Sequence, residues 1–394
     1  PCIYPSPHRK WIFYFITLLF WHDVVKVRDG DLKFEPCDGK DQEKLEIAEE
    51  EVGKLIQSGD PDVPYEDIQP YGGATLGDIY KTFIKFRNLF NPRQLLTLVK
   101  LVKLIREAGK LIEKEKIKEG LTREEAFRYA EAVVTYLAMV VADCERFNAY
   151  ATVWDATAWQ KVKHVFSFRG LAMNWNYCDN NPFSSLLGSF ISSLNNMLHG
   201  LNYLINSRQG IFSHENCRCI IDDATILSKI NEKFDLIVTD PPYYNDVAYT
   251  ELSDFYFIWL KRFLSDVENN RLVPRFIPEA FFEKLGDDYI EISTQWEKFA
   301  LREVSLYYTR LGSNAKREDG RKHFQSLLNA SFVTMASRLK DDGLLVTYYA
   351  HTDPDAWKAL LEAGWEAAGL RVTNAFPLTT ESAQSVVKRG KLSM

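Results

Sequence analysis

The stretch Phe234-Asp235-Leu236-Ile237-Val238-Thr239-Asp240-Pro241-Pro242-Tyr243 decides how this chain is read. Residues 234–239 are apolar almost throughout, the pattern of a buried strand in a parallel sheet. In open α/β sheets, ligands bind beyond the carboxyl ends of the strands, so Asp240–Tyr243 stands where a site belongs. Two prolines fix φ and remove two backbone donors. An ionised Asp240 is also an acceptor only. The turn is therefore a rigid acceptor cluster suited to an exocyclic amino group, and Tyr243 offers a flat face for stacking on a base. An amino group held by acceptors turns its lone pair toward an electrophile, which suits methyl transfer to an amine nitrogen. The bland alternative is a tight turn after a core strand.

Working outward, the pattern alternates strand and helix. Residues 219–221 form a short apolar run, 251–264 an aromatic helix, and 324–339 another helix. Residues 344–350 predict a second buried strand, 355–368 a helix and 370–375 a last strand, whereas 266–322 read as a polar, irregular helical insertion. This order argues an α/β fold with a parallel sheet. Upstream, Asp29-Gly30-Asp31 marks a turn between two short strands, and residues 42–56 have a charged helical pattern. Asn91-Pro92 caps a helix whose apolar stripe is Leu95, Leu98, Val99, Val102 and Ile105. Thr122-Arg123-Glu124-Glu125 is a capping box that opens a second long helix reaching about Asn148. The domain reading is 1–60 as a β-rich remnant with a charged helix, 61–210 as a helical, aromatic-rich region, and 211–394 as the catalytic half.

With these residues in view, the chain resembles the S-adenosylmethionine-dependent amino-methyltransferases, whose fourth motif is matched by Asp240–Tyr243. It is most similar to the adenine-specific DNA methylases that carry a zinc ribbon. The run Asp240 to Tyr249, followed by Glu251-Leu252-Ser253-Asp254-Phe255-Tyr256 and Trp259-Leu260, carries most of the resemblance. Tyr71-Gly72, Gly77-Asp78, Leu89 to Leu95, Asn181-Pro182-Phe183, Gly343 to Val346, Trp357 and Pro377 to Glu381 support it. The resemblance covers roughly residues 70 to 390. It implies a partial Rossmann-like methyltransferase sheet with a large helical region N-terminal to it. It also implies an enzyme that flips adenine out of DNA. Asp240, Pro241 and Pro242 would hold the amino group, while Tyr243, Tyr244 and Asn245 would contact the base. Asp223 in Ile220 to Thr225, together with Asp240, would meet the cofactor; for Asp223, a helix cap is the equal alternative. An RNA amino-methyltransferase and a catalytically silent DNA-binding subunit of a split methylase remain the competing readings.

The chain departs from this family in one respect. A Phe-x-Gly-x-Gly loop should follow the first strand, because only glycine lets the backbone approach the cofactor closely. No such loop occurs, and Gly72-Gly73-Ala74-Thr75-Leu76-Gly77 reads as a linker turn. The paired cysteines of a zinc ribbon are absent as well. The expectation is a fragment, or one part of a split enzyme whose missing N-terminal half supplies the loop. Alone, it is expected to bind S-adenosylmethionine weakly or not at all.

Composition bounds the rest. The 394 residues carry a net charge of −6, which excludes a uniformly basic nucleic-acid coat but not a local patch. Six scattered cysteines read as reduced thiols of a cytoplasmic protein, with no metal site expected. The aromatic run 11–21 is too short to span a bilayer and reads as a buried strand, so no membrane partner is expected. Lys100, Lys103, Arg106 and Lys110 offer either a phosphate-facing stripe or a solvated helix face. Lys161, Lys163, His164, Phe166, Phe168 and Arg169 form a basic-aromatic cluster with the same two readings. His351 reads as a loop histidine or as a wall of the base pocket.

Overall fold

The computed structural model describes residues 2–4, 23–28, 31–36, 38–69, 83–155, 161–166, 177–184, 186–207, 218–244, 247–312, 314–378 and 392–393. The aromatic run 11–21, the turn at 29–30, the glycines 72–77, Phe168, Arg169 and Asn245 lie outside them. The fold mixes helix and strand, and its sheets are small. Two compact units divide the chain: 1–71, 76–209 and 251–296 form the first, and 72–75, 210–250 and 297–394 the second. Residues 251–296 therefore cluster with the first unit, although their sequence continues the motif of the second.

In the first unit, the capped helices form where the sequence predicts them. Asn91 Oδ1 accepts from Gln94 N at 2.9 Å and Gln94 Oε1 accepts from Asn91 N at 2.9 Å, opening helix Pro92–Lys118. Thr122 and Glu125 close the same reciprocal box for helix Arg123–Glu145. These helices pack through the predicted stripe, with Leu95, Leu98, Val99, Val102 and Ile105 all buried. Three of the four cations beside the stripe are paired, Lys103 with Asp60 at 2.5 Å, Arg106 with Asp62 at 2.6 Å and Lys110 with Asp266 at 2.8 Å, whereas Lys100 is exposed. The basic-aromatic cluster also faces inward in part. His164 stacks edge-on against Phe147 at 5.8 Å, and Phe166 against Phe255 at 5.2 Å. Residues 266–322 do not form a helical insertion throughout: Asp266–Glu268 pairs with Arg271–Val273, and Phe282–Leu285 with Asp288–Glu291, as two antiparallel hairpins. Four short strands, in the order Asp31–Pro36, Asp23–Arg28, Cys2–Tyr4, Tyr177–Asp179, make a further antiparallel sheet.

The second unit is built on one parallel pair, Phe234–Thr239 beside Leu339–Thr347, in register from Leu236↔Leu344 to Thr239↔Thr347. Ile237 and Leu345 face a core formed by helix Arg317–Ser337 (Phe324, Leu328, Phe332, Met335) and helix Pro354–Leu361 (Ala356, Ala359, Leu360). The opposite face is open. Leu236 is 53% exposed, Val238 56% and Leu344 51%. The strand predicted as buried is thus covered on one side only, whereas parallel sheets are normally covered on both. The apolar run 219–221 and the expected strand 370–375 join no strand among the described residues, and Ile221 is 91% exposed. A strand without a neighbour leaves its backbone groups to water, so apolar sequence alone does not make one. The parallel pair is what the structure holds of the expected sheet. No helix among the described residues is long and apolar enough to cross a membrane.

Candidate active site at the Asp-Pro-Pro-Tyr turn

The strand Phe234–Thr239 delivers Asp240 to the carboxyl end of the parallel pair, where Tyr348 N donates to Thr239 O at 2.9 Å and holds the two strands together. Asp240 is exposed, Pro241 buried, and Pro242 and Tyr243 half-buried. Tyr244 N donates to Pro242 O at 3.1 Å, closing a three-residue turn around Tyr243. Tyr244 then sits at φ +45°, a left-handed backbone that bulky residues rarely adopt and that recurs where a site is held under strain. The turn folds back on itself, since Tyr243 Oη donates to Asp240 Oδ1 at 2.7 Å. Asp240 Oδ2 and the Pro241 carbonyl oxygen accept no hydrogen bond among the described residues.

The two tyrosines have different tasks. Tyr243 tilts against Tyr349, with centroids 5.9 Å apart. Tyr244 is buried: its ring meets Phe324 edge-on at 4.9 Å and His351 at 5.6 Å, and its carbonyl accepts from Leu306 N at 3.0 Å. Burial raises the Tyr244 phenol above its usual range, against the pull of the Arg321 cation. Tyr244 therefore anchors the turn to the helical core, which corrects its expected contact with a base. His351 is also corrected, from a surface loop to a buried position. Its Nδ1 accepts from Asp353 N at 2.9 Å, and its carbonyl accepts from Trp357 Nε1 at 2.9 Å.

Asp223 is fully engaged. Its Oδ1 accepts from Thr225 N at 2.8 Å and Thr225 Oγ1 at 2.7 Å, and its Oδ2 is paired with Arg302. The Arg302 hydrogen bond, followed by that of Thr225, holds the Asp223 carboxyl below the usual carboxylate range. Its main-chain oxygen also accepts from Ile226 N and Leu227 N, so Asp223 closes a turn; no helix follows it among the described residues, and the helix-cap alternative does not hold either. Sequence reading missed Arg302, because 79 positions separate it from Asp223. It also missed Glu303, which accepts from Tyr249 N at 3.2 Å and Thr250 N at 2.8 Å and so caps the helix that follows the motif.

These residues do not fit S-adenosylmethionine by themselves. The acidic group proposed for the cofactor has no free oxygen, and among the described residues no strand is followed by a pair of glycines. A cavity of about 290 Å3 borders Tyr244, between Arg321, Gln325, Asp355 and Lys358, but it is not lined by Asp240 or Tyr243. Comparison of the chain with protein-family models, with curated proteins and with solved structures gives no match in any of the three.

Proposed function

We propose that this chain carries the base-binding part of an amino-methyltransferase acting on adenine in DNA. The observation that carries the reading is the turn itself. After a parallel strand, an exposed carboxylate is locked by its own Tyr243 while Asp240 Oδ2 and the Pro241 carbonyl stay unbonded. Such acceptors bind an exocyclic amino group, and Tyr243 covers the face of the base. Positioning of this kind, not acid–base chemistry on the chain, is the contribution the turn makes.

S-adenosylmethionine is the methyl donor this reading calls for, and its glycine loop has to come from a further element. The open sheet face at Leu236, Val238 and Leu344 supports that element being a strand and helix that complete the sheet. The test is complementation. The chain is mixed with the N-terminal half of a related methylase, and methyl transfer to duplex DNA and to RNA is measured. Transfer to adenine in DNA that Asp240→Ala abolishes supports the proposal. Transfer that survives Asp240→Ala removes the turn from the mechanism. Transfer to RNA alone selects the RNA enzyme, and DNA binding without transfer selects the silent subunit.

A further inference from the structure

Two stretches distant in sequence, Arg93-Gln94 and Asn180-Asn181-Pro182-Phe183, meet at one cavity of about 350 Å3 inside the first unit. That volume lies in the ~300–1,000 Å3 range of small-molecule sites. The floor is rigid. Asp179, at the end of strand Tyr177–Asp179, accepts from Gln94 Nε2 at 3.2 Å on one oxygen and from Asn91 Nδ2 at 3.3 Å and Arg93 on the other. The charge of Asp179 is thereby matched by Arg93, and the floor has no net charge to offer an ion.

Above it, two buried carboxamides line the cavity. Asn148 Nδ2 donates to Cys144 O at 3.0 Å, and Asn180 Nδ2 donates to Leu187 O at 2.9 Å. Each bond fixes the amide plane and leaves its carbonyl oxygen and one N–H for a ligand. Leu98 and Leu101 supply an apolar wall, and Phe183, 67% exposed, stands at the mouth. An Asx turn holds Phe183 in place: its N–H donates to Asn181 Oδ1 at 3.0 Å.

We infer that this cavity is a nucleobase site, separate from the Asp240–Tyr243 turn, with Asn148 and Asn180 reading the base edge and Phe183 stacking on its face. Fixed amides present adjacent donor and acceptor groups, the complement of a base edge. An aromatic ring at an open mouth is the stacking platform of single-strand binders. The inference does not depend on the methyltransferase reading.

The experiment is calorimetric titration of the purified chain with adenosine, guanosine and cytidine, and with the single strand (dA)6. Binding that weakens about 10-fold or more in Phe183→Ala, and is unchanged in the surface control Tyr203→Ala, establishes the site. Phe183 is exposed, so its truncation leaves folding intact, and a thermal melt verifies this. Binding of (dA)6 but not of the nucleosides identifies the source of the base as an unpaired strand. Binding of the nucleosides alone identifies it as a free nucleoside. No binding at millimolar concentration, or loss through Tyr243→Ala and not through Phe183→Ala, overturns the inference.

Discussion

Tyr243 Oη donates a 2.7 Å hydrogen bond to Asp240 Oδ1, three residues back along the same turn. The pair fixes the carboxylate and the ring with respect to each other before any substrate arrives. Tyr243→Phe keeps the ring and loses the bond, so kcat/KM in the complemented enzyme should fall only ~5-fold, the worth of one net hydrogen bond. Asp240→Ala removes the acceptor itself and should cost ~100-fold or more. Steady-state methyl transfer with both variants checks this ordering; a Tyr243→Phe enzyme as inactive as Asp240→Ala would contradict it.

The open face of the parallel pair makes a second prediction. Leu236 is half exposed, so Leu236→Lys should change the unfolding free energy of the isolated chain by no more than ~0.5 kcal/mol. The same substitution should block complementation, because a completed sheet would bury the charge. Urea unfolding and the complementation assay read the two halves separately. Equal complementation by the lysine variant would show that nothing packs there.

In the first unit, Glu66 is held by Lys261 at 2.7 Å and Arg262 at 2.8 Å. Burial pushes its carboxyl up, but the two cations outweigh it and bring it down to about 2. The folded value is below the ~4.3 of an unfolded glutamate. The associated stability is therefore complete above that value and is lost as pH falls from about 5 toward 2. Glu66→Ala should cost ~3–5 kcal/mol at pH 7, because it removes the carboxylate paired with buried Arg262 and leaves Lys261 with Glu291 alone. The cost should shrink in acid, and denaturation at pH 7 and pH 3 measures the difference.

Glu145 is the opposite case. It is fully buried at the end of helix Arg123–Glu145, and neither carboxylate oxygen has a hydrogen-bond partner among the described residues. Burial raises its carboxyl well above the usual range. The unfolded chain releases this proton above about 4.3 while the folded chain retains it, so stability falls as pH rises. Glu145→Gln should stabilise the chain by ~1–3 kcal/mol at pH 8 and by less at pH 5. Urea titrations at the two values decide it, and a variant less stable at pH 8 would show that the carboxylate has an unseen use.

Much of this was legible locally. Asn91 and Thr122 announce their helices because a cap is a contact between residues three apart. The Asp-Pro-Pro-Tyr turn is legible for the same reason, since prolines and an aspartate set its acceptors within four residues. What depends on distant residues was not legible. Asp223 looked like a cofactor ligand until Arg302 occupied it, and Tyr244 looked like a base contact until Phe324 and His351 enclosed it.

The sheet marks the same boundary. Alternation and apolar runs are properties of one segment, so the sequence by itself determined that Phe234–Thr239 and the residues near Leu344 are strands and that Asp240 follows the first of them. Whether a strand is covered, or forms at all, depends on which neighbours supply hydrogen bonds and apolar surface. Only the tertiary structure decided that Ile237 is covered while Val238 is open, and that Ile221 and Val372 join no strand among the described residues. The reason is that pairing and burial are exchanges with water made between segments, and no segment contains its own partner.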